Sequence, residues 1–152
     1  MNLNEAEVYT KLRQINESVK SNLKRKGIVV PKKNTDGTIS VGKFKIVKDQ
    51  GFYTILDYSG LALYQKINLP QTAAVIANEL AIRHFADLKI LDYDRKYGHA
   101  AFEESNHNKL LNKSIKAEYK DIIRSKVDIA KAKKEHYRSE IELGFRKLIH
   151  IR

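Results

Sequence analysis

Apolar positions change their period several times along the chain. From Val8 they recur as Leu12, Ile15, Val19 and Leu23, at spacings of four, three, four and four. That is one stripe along a helix, narrow like a coiled-coil seam, with polar residues on the other faces. Asn4 followed by Glu7 supplies an N-cap with a capping-box-like acid, and Gly27 a left-handed stop. Pro31, Asn34, Asp36 and Gly37 then predict a loop between Gly27 and Gly42, with a short strand at 28–30.

A period of two follows. "KFKIVK" (43–48) puts Phe44 and Ile46 on one face, and "FYTILDY" (52–58) and "LALYQKI" (61–67) are rich in aromatic and aliphatic residues. Asp49-Gln50-Gly51 and Ser59-Gly60 join them by tight turns, so the three strands form an antiparallel meander. Strand 52–58 carries Phe52, Leu56 and Tyr58 on one face and Tyr53 and Ile55 on the other. A single helix layer covers only one of these faces, so a second element or a partner is expected on the other.

Leu69-Pro70 opens the next helix, because proline is tolerated where its missing N–H would have no partner. Ala73, Ile76, Ala77, Leu80 and then His84 or Phe85 run along one face, and Glu79 is the only charge between Ile67 and Ala81. Small residues let this helix lie close on the meander as a lid. Residues 86–100 read as a linker that turns into a helix from about Asp94 to Asn112. Apolar positions from Tyr119 to Leu148 predict a last helix of about thirty residues, ~45 Å long at 1.5 Å per residue. It would fold back on its predecessor as an antiparallel hairpin. The expected class is α+β: an N-terminal amphipathic helix (1–27), a three-stranded meander covered by an Ala-rich helix (28–90) and a helical hairpin (91–152).

The chain has 152 residues and a formal net charge of +11. Residues 1–36 hold eight basic against four acidic residues and residues 101–152 hold thirteen against eight, whereas 71–100 balance. Positive charge at both ends makes an acidic partner reasonable, nucleic acid included. Cysteine is absent, which excludes disulfides and thiolate chemistry. No apolar run approaches the ~20 residues of a membrane span, and the N-terminus lacks the pattern of a signal peptide.

Candidate chemistry is sparse. Glu104 and His107 have the Glu-x-x-His spacing used in carboxylate-bridged metal pairs, but no second pair exists, and a solvated helix face explains them better. His136 in "KKEHYR" (133–138) has no nucleophile tied to it by spacing. Lys126, Lys133, Lys134 and Arg138 form a basic flank interrupted by Asp128 and Glu135, which reads as a solvated helix. No glycine-rich phosphate cradle is present, and the aromatics of 52–58 fall on both strand faces, against a base-stacking platform. No catalytic residue, metal ligand or cofactor is therefore expected.

The running sequence of 36–81, with "DRKYGHAAFEES" (94–105) and "KAKKEHYRSEIE" (131–142), resembles small uncharacterised proteins of contractile-tailed marine cyanophages and related marine phages. The likeness covers most of 24–150 and carries no active-site motif. It implies viral origin, with a role in virion structure, morphogenesis or DNA handling. Three strands and an Ala-rich helix are also the layout of plant-type AP-two DNA-binding domains. Those read DNA with Arg and Trp on the sheet, and this meander has neither.

Two functions follow as expectations. The first is a non-enzymatic structural or assembly protein that contacts itself or other virion proteins, placed in the host cytoplasm during assembly or in the virion. Its interface would use Val8, Leu12, Ile15 and Val19 on the first helix and Tyr137, Ile141 and Phe145 on the last. The second is a nucleic-acid-binding accessory protein with Lys24, Arg25, Lys26, Lys32, Lys33, Lys43 and Lys45 on phosphates. No membrane partner is expected.

Overall fold

The computed structural model describes residues 7–15, 30–113 and 116–149. Residues 7–15 are helical (α1). Five strands follow: β1 (Lys32–Lys33), β2 (Ile39–Val41), β3 (Phe44–Asp49), β4 (Phe52–Leu56) and β5 (Ala62–Ile67). Three helices complete the chain: α2 (Pro70–Arg83), α3 (Leu88–Leu111) and α4 (Ala117–Ile149). The class is α+β.

The sheet is an antiparallel meander in the order β1-β2-β3-β4-β5. The three expected strands are present as β3, β4 and β5, and the expected loop contributes two more. The expected strand at 28–30 falls mostly outside the described residues, and Val30 is not in a strand. Ile39 and Val41 are buried on either side of the half-buried Ser40, a period of two inside a stretch rich in turn formers. Asp49 pairs with Phe52 across a two-residue turn in which Gln50 and Gly51 both have positive φ, 51° and 85°. That geometry matches the twist of the flanking strands and favours glycine at the second position.

The face of the sheet bearing Ile39, Ile46, Tyr53 and Ile55 packs on α2. The expected lid is instead a middle layer. Helix α2 touches the sheet on one side and α3 and α4 on the other, and every residue from Gln71 to Asn78 is buried. This explains its composition. A helix enclosed on both sides has no room for long side chains in either direction, and Ala73, Ala74 and Ala77 are fully buried. The helix ends at Arg83. His84 takes the left-handed conformation (φ 68°) and its N–H donates to the Leu80 carbonyl. The expected continuation through His84 or Phe85 therefore fails, and Phe85 is exposed.

Helix α3 begins at Leu88, six residues before the expected start at Asp94. Asp87 is its N-cap, accepting from the Lys89 N–H at 3.0 Å. Asp94 lies within the helix and is buried. Its carboxylate accepts from the backbone N–H groups of Asn68 (2.7 Å) and Leu69 (2.9 Å), immediately before α2. Asn68 Nδ2 also donates to the Asp94 carbonyl at 3.1 Å. One turn further along α3, a Cβ on Gly98 would lie 2.7 Å from Asn68 Cγ, so any other residue there would push the Asn68 side chain off its bond to Asp94. Burial pushes the Asp94 carboxyl above the usual carboxylate range, and the donors from Asn68 and Leu69 offset only part of that.

Helix α4 runs from Ala117 to Ile149, 33 residues, antiparallel to α3. Tyr93 meets Tyr137, and Lys134 Nζ lies 2.7 Å from Glu104 Oε2. The described residues of α1 close the remaining side of the core. Lys11 reaches Glu142 at 3.7 Å and covers the Phe145 ring at 4.8 Å, while Lys33 of β1 lies 4.6 Å over the Tyr9 ring. One core cluster draws on α1, the sheet, α2 and the ends of α3 and α4 nearest the sheet, through Ile90, Ile141 and Phe145.

Candidate functional site

The residues expected to form an interface separate into two groups. Val8, Leu12, Ile15, Ile141 and Phe145 are each at most 2% exposed and belong to the chain's own core. The seam read on the first helix thus packs within the chain, and those side chains present little to a second molecule. Tyr137 is half-buried between the rings of Tyr93 and His136. Val19 lies outside the described residues.

The basic set is also divided. Lys24, Arg25 and Lys26 lie outside the described residues. Lys32 pairs with Ser40 and Ser40 with Lys45, so these three stand in one row across β1, β2 and β3 on the face turned away from α2. Lys43 is exposed in the turn between β2 and β3. Lys33 faces the other side, where its ammonium covers Tyr9. Val47, Thr54, Leu56 and Phe52 continue the outer face, and Phe52 is 40% exposed. This is the second apolar face of strand 52–58. Tyr58 is not part of it, because β4 ends at Leu56 and Tyr58 sits in the following turn.

The Glu-x-x-His pair lies on α3. Glu104 is taken up by Lys134 of α4, an ammonium where a bridged metal pair would place a ligand. His107 is half-buried with Nδ1 enclosed and without a hydrogen-bond partner among the described residues. Among the described residues no three His, Asp or Glu side chains gather in metal-ligating geometry. His136 is exposed on α4 with its ring 5.3 Å from that of Tyr137. A shallow cavity of about 320 Å³ between α3 and α4 is lined by Arg95, Lys96, His99, Glu103, Lys133 and Tyr137. Its polar groups are largely matched within the chain: Lys96 and Arg95 reach Asp92, and His99 reaches Glu103 at 2.9 Å.

The outward surface of the hairpin offers more. Toward its tip, α3 and α4 meet through the small buried residues Ala100, Val127 and Ala130, outside the main core. Around that thin seam Phe102, Tyr119, Ile122 and Ile129 are all more than half exposed, and Leu110 is 40% exposed. Their spacing was legible in the sequence, but only the fold shows which of the apolar residues on α4 face outward. No described helix is long and apolar enough to cross a membrane.

No protein-family model matches the chain, and no curated protein and no solved structure matches it. Its chemistry therefore rests on its own surfaces. These offer apolar contact on a projecting hairpin and a lysine-edged sheet face.

Proposed function

We propose that the chain is a non-enzymatic phage protein of structural or assembly type, acting through protein–protein contacts in an oligomer or in the virion. The observation that carries this reading is the hairpin tip, where large apolar side chains stand exposed on both helices around a seam of Ala100, Val127 and Ala130. A helix pair of this kind gains more from a partner than from water. The resemblance to proteins of contractile-tailed phages agrees with an assembly role. Light scattering across about a hundredfold range of protein concentration tests it. An oligomer is expected, and a strict monomer throughout would overturn the reading.

One observation favours a second reading, a nucleic-acid-binding accessory protein. The row Lys32–Ser40–Lys45 continues onto Leu56, with the exposed Phe52 four residues away along β4, so two ammonium groups and an aromatic ring share one open sheet face. Under that reading, affinity for single-stranded or duplex DNA falls steeply with salt, and Lys32→Glu with Lys45→Glu flattens the slope. Absence of binding at low salt would dismiss it.

A further inference from the structure

Helix α4 carries two stripes. The inner one, Ile123, Val127, Ala130, Lys134, Tyr137 and Ile141, faces α3 and the core. The outer one is Ile122, Ser125, Ile129, Ala132, His136 and Ser139, at alternating spacings of three and four. All six of these residues are exposed. At 100° per residue the two stripes are centred roughly 150° apart around the helix. The outer stripe contains no Lys, Arg, Asp or Glu, on a helix crowded with them.

In heptad terms Ile122, Ile129 and His136 occupy position a, and Ser125, Ala132 and Ser139 position d. The flanks are sorted by sign. Position g holds Asp121, Asp128 and Glu135, and position e holds Lys126 and Lys133, then Glu140. In a parallel pair of helices, a g residue meets the e residue five positions later on the partner. Asp121, which its own Arg124 reaches at 3.2 Å on the exposed surface, would meet Lys126 of the second copy, and Asp128 would meet Lys133, each twice by symmetry. An antiparallel pair would set the acidic g edge against itself.

We propose that two copies of this chain pair in parallel through the outer stripe of α4, with Ile122 and Ile129 as apolar anchors and Asp121–Lys126 and Asp128–Lys133 fixing partner and direction. This names the partner in the assembly reading above and rests on it. The favourable charge pairing ends at Lys133. Beyond it Glu135 would face Glu140, and Glu142 is already held by Lys11 and Gln71 of its own chain.

Sedimentation equilibrium on the full chain tests the proposal. Asp128→Lys and Lys133→Asp should each weaken the dimer about tenfold, since each turns two attractions into repulsions, and the two together should restore it. Ile129→Asp should weaken it at least about a hundredfold with unchanged circular dichroism, because Ile129 is more than half exposed in the single chain. The chain has no cysteine, so Ser125→Cys and Ser139→Cys each report direction. Both should cross-link rapidly under oxidation if the helices are parallel. An oligomer indifferent to all these changes would overturn the α4 zipper and leave the assembly reading standing. Weakening by both charge reversals without rescue in the double variant would overturn the parallel pairing. A wild-type monomer at every concentration would overturn the assembly reading and the zipper with it. Should Ile129→Asp fail to fold, the surface charge exchange and the cysteine variants still decide the matter.

Discussion

Phe145→Ala is expected to lower the free energy of unfolding by about 3–5 kcal/mol. Phe145 is 2% exposed and belongs to the cluster that α1, the sheet and α2 share with the C-terminal half of α4. Its ring lies under the Lys11 ammonium at 4.8 Å, so it also holds α1 against α4. Removing the ring leaves a cavity lined by elements that already pack on one another and cannot collapse far to fill it. Leu143, two residues earlier on the same helix, is 49% exposed, and Leu143→Ala should cost less than about 1 kcal/mol. Urea unfolding followed by circular dichroism measures both. A Phe145→Ala loss as small as that of Leu143→Ala would mean that α1 does not close this side of the core. The same experiment bears on function. A large loss with the oligomer intact would assign the α1–α4 contact to folding and leave assembly to the outer face of α4.

Much of this architecture is legible along the sequence, and the differences have physical causes. Alternation locates β3 and β4, and Leu69-Pro70 locates the start of α2, because these signals are local. Ile39 and Val41 also alternate, but Pro31, Asn34, Asp36 and Gly37 around them are strong turn formers, so β2 reads as loop. The strand forms because Ile39 and Val41 can pair with Ile46 and Phe44 and bury against α2, a gain that is not local. Helix α2 looks like a lid because its small residues suit one close neighbour. Whether it has one neighbour or two depends on where the hairpin docks, which no period along the chain reveals. The first-helix seam has the same ambiguity. An apolar stripe at three-four spacing announces a partner without saying whose, and the chain's own core takes Val8, Leu12 and Ile15. Helix α4 then shows the converse, since its two stripes look alike in sequence and only the docked fold separates inner from outer.

Asp94→Ala is expected to destabilise the fold by about 2–4 kcal/mol, since it strands two enclosed backbone donors at Asn68 and Leu69. In sequence Asp94 reads as the approximate start of a helix. In the structure it is a buried acceptor inside α3 that terminates β5 and positions the start of α2, where Pro70 and the uncapped Leu69 offer no side-chain cap. Asp94→Asn keeps the shape but turns an amide donor toward two N–H groups, so it should retain only part of the lost stability. The pH dependence separates charge from shape. Burial raises the folded carboxyl above its ordinary value of 3.8. The folded state therefore holds this proton more tightly than the unfolded chain. The stability so gained is fully present below pH 3.8 and declines as pH rises through the raised folded value. Wild type should thus lose stability relative to Asp94→Asn across that window and then run parallel to it toward neutrality. Paired urea titrations of the two proteins over the acid range measure the difference. If wild type instead gained on Asp94→Asn as pH rose, the N–H donors would outweigh burial and Asp94 would act as a charged cap for α2. A gap of constant size would mean that the carboxyl titrates as it does in water, and that α3 does not enclose it.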